Sequence, residues 1–190
     1  MIKRMIIVYF SGFLLLSAQS LTIDPSVYKI LDDISANQLE TSVTKLVNFG
    51  TRHSLSDTVS NTRGIGAARR WIKNEFEKIS NDCGGCLEVE EQWSLAKGNP
   101  KSRIKKDTWI VNIYAVKRGT IYPNRYVIMS GDIDSRISDP LDGKGDSPGA
   151  NDNATGMAGA IELARVLSKH DFPTSIILAG LSGEEQGLFG

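Results

Sequence analysis

Apolar positions fall into two helical patterns early in the chain and into shorter, strand-like runs later. Leu39, Val43, Leu46 and Val47 predict a helix over 36–49, stopped by Gly50. The stretch 51–62 is polar and reads as a loop. Beyond it Ile65, Ala68, Ile72, Phe76 and Ile79 form one face of a longer helix, with Arg69, Lys73 and Glu77 on the other. Leu87, Val89 and Trp93 fit a strand, and 107–116 and 125–130 predict two more. Residues 96–106 read as a basic, solvated hairpin connection. A further helix is expected over 154–170, capped by Asn153, and an apolar strand follows Pro173 and ends near Leu181. This late alternation of strand and helix predicts an α/β sheet with parallel members. Trp71, Trp93 and Trp109 are expected in the core.

The chain has 190 residues with 22 basic and 22 acidic side chains, enough for one domain with a real core. Zero formal charge and the lack of a basic stripe argue against nucleic acid as a partner. At the N-terminus Lys3 and Arg4 precede an apolar run from Met5 to Leu16, then Ser17-Ala18-Gln19-Ser20. That is the pattern of a signal peptide over 1–20, cleaved after Ser20, and it predicts export to a periplasm or the extracellular space. The run is too short to span a bilayer, so no stable membrane span is expected after cleavage. Residues 21–34 read as an N-terminal lead segment and 35–190 as a partial domain that carries the candidate chemistry. Cys83 and Cys86 are the only cysteines; a zinc ribbon needs a second pair, and in an exported protein a disulfide between them is the better expectation.

The candidate chemistry lies at the ends of two apolar runs. Tyr126 to Ser130 leads into Gly131-Asp132-Ile133-Asp134-Ser135, and Ser175 to Gly180 leads into Gly183-Glu184-Glu185-Gln186-Gly187-Leu188. Between them stands Pro148-Gly149-Ala150-Asn151-Asp152-Asn153-Ala154-Thr155-Gly156. Open α/β sheets place their ligand crevice at the carboxyl ends of strands. Several carboxylates converging there repel one another unless a cation neutralises them, which points to a metal site. Taken singly, each block has a plainer reading, as turn formers, a helix cap or charges at a helix start.

Together the three blocks resemble the co-catalytic zinc exopeptidases, the type of secreted bacterial leucyl aminopeptidases and glutamate carboxypeptidase (metallopeptidase clan MH, peptidase family twenty-eight). Gly50-Thr51-Arg52-His53 and the helix around Arg69-Arg70-Trp71-Ile72 also resemble the N-terminal segment of that family. The resemblance implies a three-layer α/β/α sandwich with a mixed, largely parallel sheet, truncated here at the C-terminus. It implies two divalent metal ions, zinc foremost, and peptides as substrates. Asp152 would bridge the two ions, Asp132 and Glu185 would each bind one, and Glu184 would be the general base that deprotonates the metal-activated water. Asp134 would orient the site from behind the ligands.

Two departures from the family pattern matter. The first block normally carries histidine where this chain has Asp132; a carboxylate there is harder, and shifts preference towards Mn²⁺ or Mg²⁺. The family's remaining Asp and His ligands fall after Gly190, so the chain is expected to be inactive alone as a fragment. His53 and His170 stand at the wrong places to be ligands. The expected activity is that of an exported aminopeptidase; a glutaminyl-cyclase-like transferase, or an inactive binding relative, are the alternatives. Lys144 and Ser147 spoil a calcium loop at 142–147, and Arg69 stands where a dinucleotide fingerprint after Gly64 needs its third glycine.

Overall fold

Ser35 opens the first of the expected helices, its Oγ accepting the N–H of Gln38 at 3.3 Å. In the computed structural model, which describes residues 24–190, that helix is α2, Ala36–Val47. It is preceded by a short α1, Pro25–Asp32, within the segment read from sequence as the N-terminal lead. The rest follows in the order α3 Gly64–Asp82, β1 Glu88–Ala96, β2 Thr108–Lys117, β3 Tyr122–Asp132, α4 Thr155–Leu167 and β4 Thr174–Leu181. A disulfide joins Cys83 and Cys86 just past the end of α3, as expected. The expected signal segment, 1–20, lies outside the described residues. No helix among those described is long and apolar enough to cross a membrane.

The predicted stripe of α3 is the heart of the core. Ile65, Ala68, Ile72 and Phe76 are fully buried with Ile113, Ala115 and Leu178 of the sheet and with Met157, Ala160 and Ala164 of α4. Full burial of each large apolar side chain stabilises by about 1.5–3 kcal/mol. The strands run in the order β1-β2-β4-β3. β1–β2 and β2–β4 are antiparallel, and only β3–β4 is parallel.

The α/β class and the mixed sheet stand as expected, while the parallel share is smaller than the expected "largely parallel". The reason is connectivity: a parallel pair needs a crossover, and α4 between β3 and β4 is the one helical crossover among these strands. Helices α3 and α4 touch each other and both pack on the sheet from the same side.

Two other expectations change. Trp93 and Trp109 are 58% and 53% exposed rather than in the core, because they line an open cavity beside the N-terminal part of α3 instead of packing under it. The hairpin connection is not wholly solvated, since Ile104 folds back onto Ala96 and Ile110 as a small satellite core.

Gly131 explains how β3 delivers its acidic end. A Cβ there would meet the backbone of Gly156 and Met157 at 2.3 and 2.4 Å, so strand and helix touch main chain to main chain. That contact brings the tip of β3 against the turn that starts α4.

Candidate functional site

Asp132 ends β3, and Asp134 follows it into the interior at 1% exposure. Asp134 Oδ2 accepts the Ser54 hydroxyl at 2.8 Å and the Glu185 N–H at 3.2 Å, and its Oδ1 accepts the Glu184 N–H at 3.3 Å. One buried carboxylate from β3 thus fixes the turn that leaves β4. Burial pushes its carboxyl up, against the pull of those hydrogen bonds.

Asp152 lies in an irregular turn, Ala150–Ala154, where Asp152 (φ −118°, ψ 98°) and Asn153 (φ −130°, ψ 41°) depart from helical geometry. The Asp152–Asn153 peptide is cis. Asn153 does not cap α4 as expected, since no side chain caps that helix. Its Nδ2 instead donates to Asp132 Oδ2 at 3.2 Å. Burial, followed by the charges of Asp134, Asp152 and Glu185, raises the Asp132 carboxyl. Glu184 is raised in the same way, first by burial and then by Glu185, Asp132 and Asp152. These carboxylates feel one another.

Three arginines organise the region. Arg52 is 1% exposed and donates to four backbone carbonyls: Ile133 at 2.8 Å, Leu46 at 3.1 Å, Pro148 at 2.7 Å and Gly149 at 3.0 Å. It therefore ties the segment after Asp132 to the segment before Asp152. Burial lowers its guanidinium to about 10, with Asp134 and Asp152 pulling back up. Arg136 Nε holds Glu185 Oε2 at 2.5 Å, and Arg103 Nη1 donates to the Glu185 carbonyl at 2.7 Å. Sequence reading quoted Arg52 within a motif but gave it no role. It passed over Arg136 and Arg103, for which no local signal exists.

His53 is fully buried and committed to structure. The Leu55 N–H donates to its Nδ1 at 3.0 Å, which puts the ring proton on Nε2, 3.1 Å from the Pro140 carbonyl. The Gln186 amide faces the same nitrogen at 3.2 Å. Burial lowers the imidazole further, so this ring is a neutral brace.

The residues fit a divalent cation in charge and donor type, because burial and then mutual repulsion raise Asp132 and Glu184, and a cation relieves both. Among the described residues, however, no three His, Cys, Asp or Glu side chains converge closely enough to enclose an ion. Arg136 holds Glu185 in an ion pair.

A model of peptidase family M28 matches residues 112–190, the span that holds all five acidic positions. A probable zinc metalloprotease of Pyrenophora teres f. teres is 46% identical over 167 residues, covering 88% of this chain and 34% of that protein. One from Pyrenophora tritici-repentis is 47% identical with the same coverage. The chain thus spans about a third of the length of these curated relatives. Among solved structures, Porphyromonas gingivalis glutaminyl cyclase is similar at a TM-score of 0.61 and 25% identity, over 84% of this chain and 49% of that one. A Zn-dependent exopeptidase from Parabacteroides distasonis has a TM-score of 0.60 at 17% identity, over 83% and 50%. The latter likeness concerns the fold alone.

Proposed function

This chain belongs to peptidase family M28, and from that premise we propose that the protein is an exported, metal-dependent exopeptidase of the aminopeptidase type. The observation that carries this reading is the clamp of Asp134 on the Glu184–Glu185 turn, which brings two adjacent carboxylates to the tip of β4 beside Asp132. Asp132, Asp152 and Glu185 are the residues that would hold two divalent ions, zinc by analogy with the relatives. Those ions would supply the positive charge that polarises a scissile carbonyl and acidifies water. Glu184 accepts the proton of the attacking water and passes it to the leaving amine; its raised carboxyl suits both transfers. Asp134 keeps that carboxylate in position.

Export rests on the pattern of residues 1–20 and is supported by the Cys83–Cys86 disulfide, a feature of oxidising compartments. The mass of the N-terminus of the secreted product tests it, with retention of Met1 as the adverse result.

Similarity to the glutaminyl cyclase at 25% identity favours a second reading, transfer rather than hydrolysis. One experiment separates the two. Full-length protein is assayed for release of nitroaniline from aminoacyl-nitroanilides, and for cyclisation of an N-terminal glutamine, each with and without chelator. Chelator-sensitive nitroaniline release supports the peptidase; cyclisation alone rejects it.

A further inference from the structure

A cavity of about 630 Å³ opens between the N-terminal part of α3 and the β1–β2 hairpin, and the acidic residues described above do not line it. Its walls include Ser54, Arg69, Glu91, Trp93, Lys106 and Trp109. Ser54 is the residue whose hydroxyl binds Asp134, so the cavity shares a wall with the candidate active site.

Arg69 is the unusual member. It is 7% exposed, yet its guanidinium is only partly used: Nε donates to Ser182 Oγ at 3.3 Å, and the buried Nη2 has no partner. A buried cationic donor left unpaired is costly, so such a group calls for an acceptor. Burial lowers it to about 10, with Asp134 and Glu91 pulling back up, and at neutral pH it stays charged.

Neither nearby acid completes it. Glu91 takes Lys73 Nζ at 3.3 Å and the Trp93 indole N–H at 3.0 Å. Asp134 is taken by Ser54 and two backbone N–H groups. Asp107, also on the wall, is held by Lys97 at 2.7 Å. The remaining charged groups on the wall, Arg70, Lys105 and Lys106, are cations. Beside them Trp93 and Trp109 stand edge to face with centroids 6.1 Å apart, both largely exposed. Exposed indoles on a cavity wall offer apolar contact area to a ligand.

We propose that this cavity binds a carboxylate carried on an apolar or aromatic group. The Arg69 guanidinium donates to the carboxylate, Lys106 adds positive charge, and the Trp93–Trp109 pair receives the apolar part. Building on the peptidase reading, the carboxylate is that of a short peptide ending in an apolar residue, or of the free amino acid released from it.

The test is a tryptophan-fluorescence titration of the full chain, in chelator, with N-acetylphenylalanine and with its amide. The acid should bind at least about ten-fold more tightly than the amide, the scale of a charge-assisted hydrogen bond. Arg69→Met should abolish that preference and Arg69→Lys should keep part of it. Equal binding of acid and amide, or no binding of either, overturns the proposal, and so does an acid preference that survives in Arg69→Met. If Arg69→Met does not fold, the acid–amide comparison in the unaltered chain decides. Titrating phenylalanine against leucyl-phenylalanine tells the two sources apart, the tighter one naming the ligand. With the chelator present no turnover is involved, so acid preference without peptidase activity would leave this site standing while the peptidase reading fails.

Discussion

Asp134 accepts the backbone N–H of Glu185 at 3.2 Å through the same oxygen that holds the Ser54 hydroxyl at 2.8 Å. The relationship couples the exit of β3 to the exit of β4 through one buried charge, and it assigns to backbone groups what sequence motifs usually assign to side chains. Asp134→Ala removes the acceptor for two N–H groups and one hydroxyl. Hydrogen bonds to a charged acceptor contribute about 1.5–3 kcal/mol each. The amides of Glu184 and Glu185 should therefore exchange with deuterium roughly ten-fold faster or more, while those of α3 stay protected. Unchanged protection at the two glutamates would show that the clamp carries no stabilisation.

Arg52 makes the second prediction. Its four carbonyl acceptors belong to three separate segments, so Arg52→Met leaves buried oxygens without donors in all three. Each such loss costs about 1–3 kcal/mol, partly relieved by rearrangement. A total on the order of 3–5 kcal/mol should lower the melting temperature by roughly 6–20 °C for a domain of this size. Arg52→Lys should not rescue it, because an ammonium cannot span the four acceptors as the planar guanidinium does.

Most of the frame was legible from periodicity. The apolar faces of α3 and α4 and the runs of β2 and β4 bury a large area each, and burial of that size dominates local preference. The three acidic blocks were legible too, because they combine charge with turn residues at strand ends. What escaped depends on distant partners. Trp93 looks like a core residue, yet it stands on the wall of an open cavity beside α3 rather than packed under the helix. Asn153 looks like a helix cap, yet its amide finds the carboxylate of Asp132, twenty-one residues away. Arg136 and Arg103 converge on Glu185 from two different loops, and nothing in either segment encodes that meeting. The pairing of β2 with β4 was also hidden, since nothing in either run encodes which distant strand becomes its neighbour.

Glu162 gives a prediction about pH. Although burial pushes its carboxyl up, hydrogen bonds from Arg165 and from the Ser35 N–H at 2.6 Å, with the charges of Arg165 and Lys169, hold it below 4.5. A depressed folded-state value means the ionised form is favoured by folding. The resulting stability is fully present above the unfolded-state value and is lost as pH falls through the folded-state value. Glu162→Gln should therefore melt several degrees lower than the unaltered chain near neutral pH. The gap should close as the pH drops below 4.5. A gap that stays constant across the acid range would mean that shape, not charge, is what Glu162 contributes.

Glu184→Gln keeps the shape of the side chain and removes its ability to take a proton. On the peptidase reading, hydrolysis of aminoacyl-nitroanilides by the full-length protein should fall by about 10²–10⁴-fold. Zinc content should stay unchanged, because Glu184 is not among the residues expected to hold the ions. Loss of zinc together with activity would move Glu184 from the proton-transfer role to the ligand set.

Arg136 supplies the last test, and it bears on how the site would load. Its Nε occupies Glu185 Oε2 at 2.5 Å, so an ion that uses Glu185 must first displace a charge-assisted hydrogen bond. Such a bond contributes about 1.5–3 kcal/mol, and Glu185 lies in a partly buried setting where screening is weak. Arg136→Gln removes the competing cation while leaving a side chain of similar reach. Zinc affinity of the full-length protein, measured by competition with a chromophoric chelator, should rise by roughly ten-fold or more. The opposite result is equally informative. If affinity falls, Arg136 is holding Glu185 in its ligating orientation rather than competing for it, and the ion pair is a preorganising contact. An unchanged affinity would take Glu185 out of the ligand set, since a residue that binds the metal cannot be indifferent to the loss of its own counter-ion.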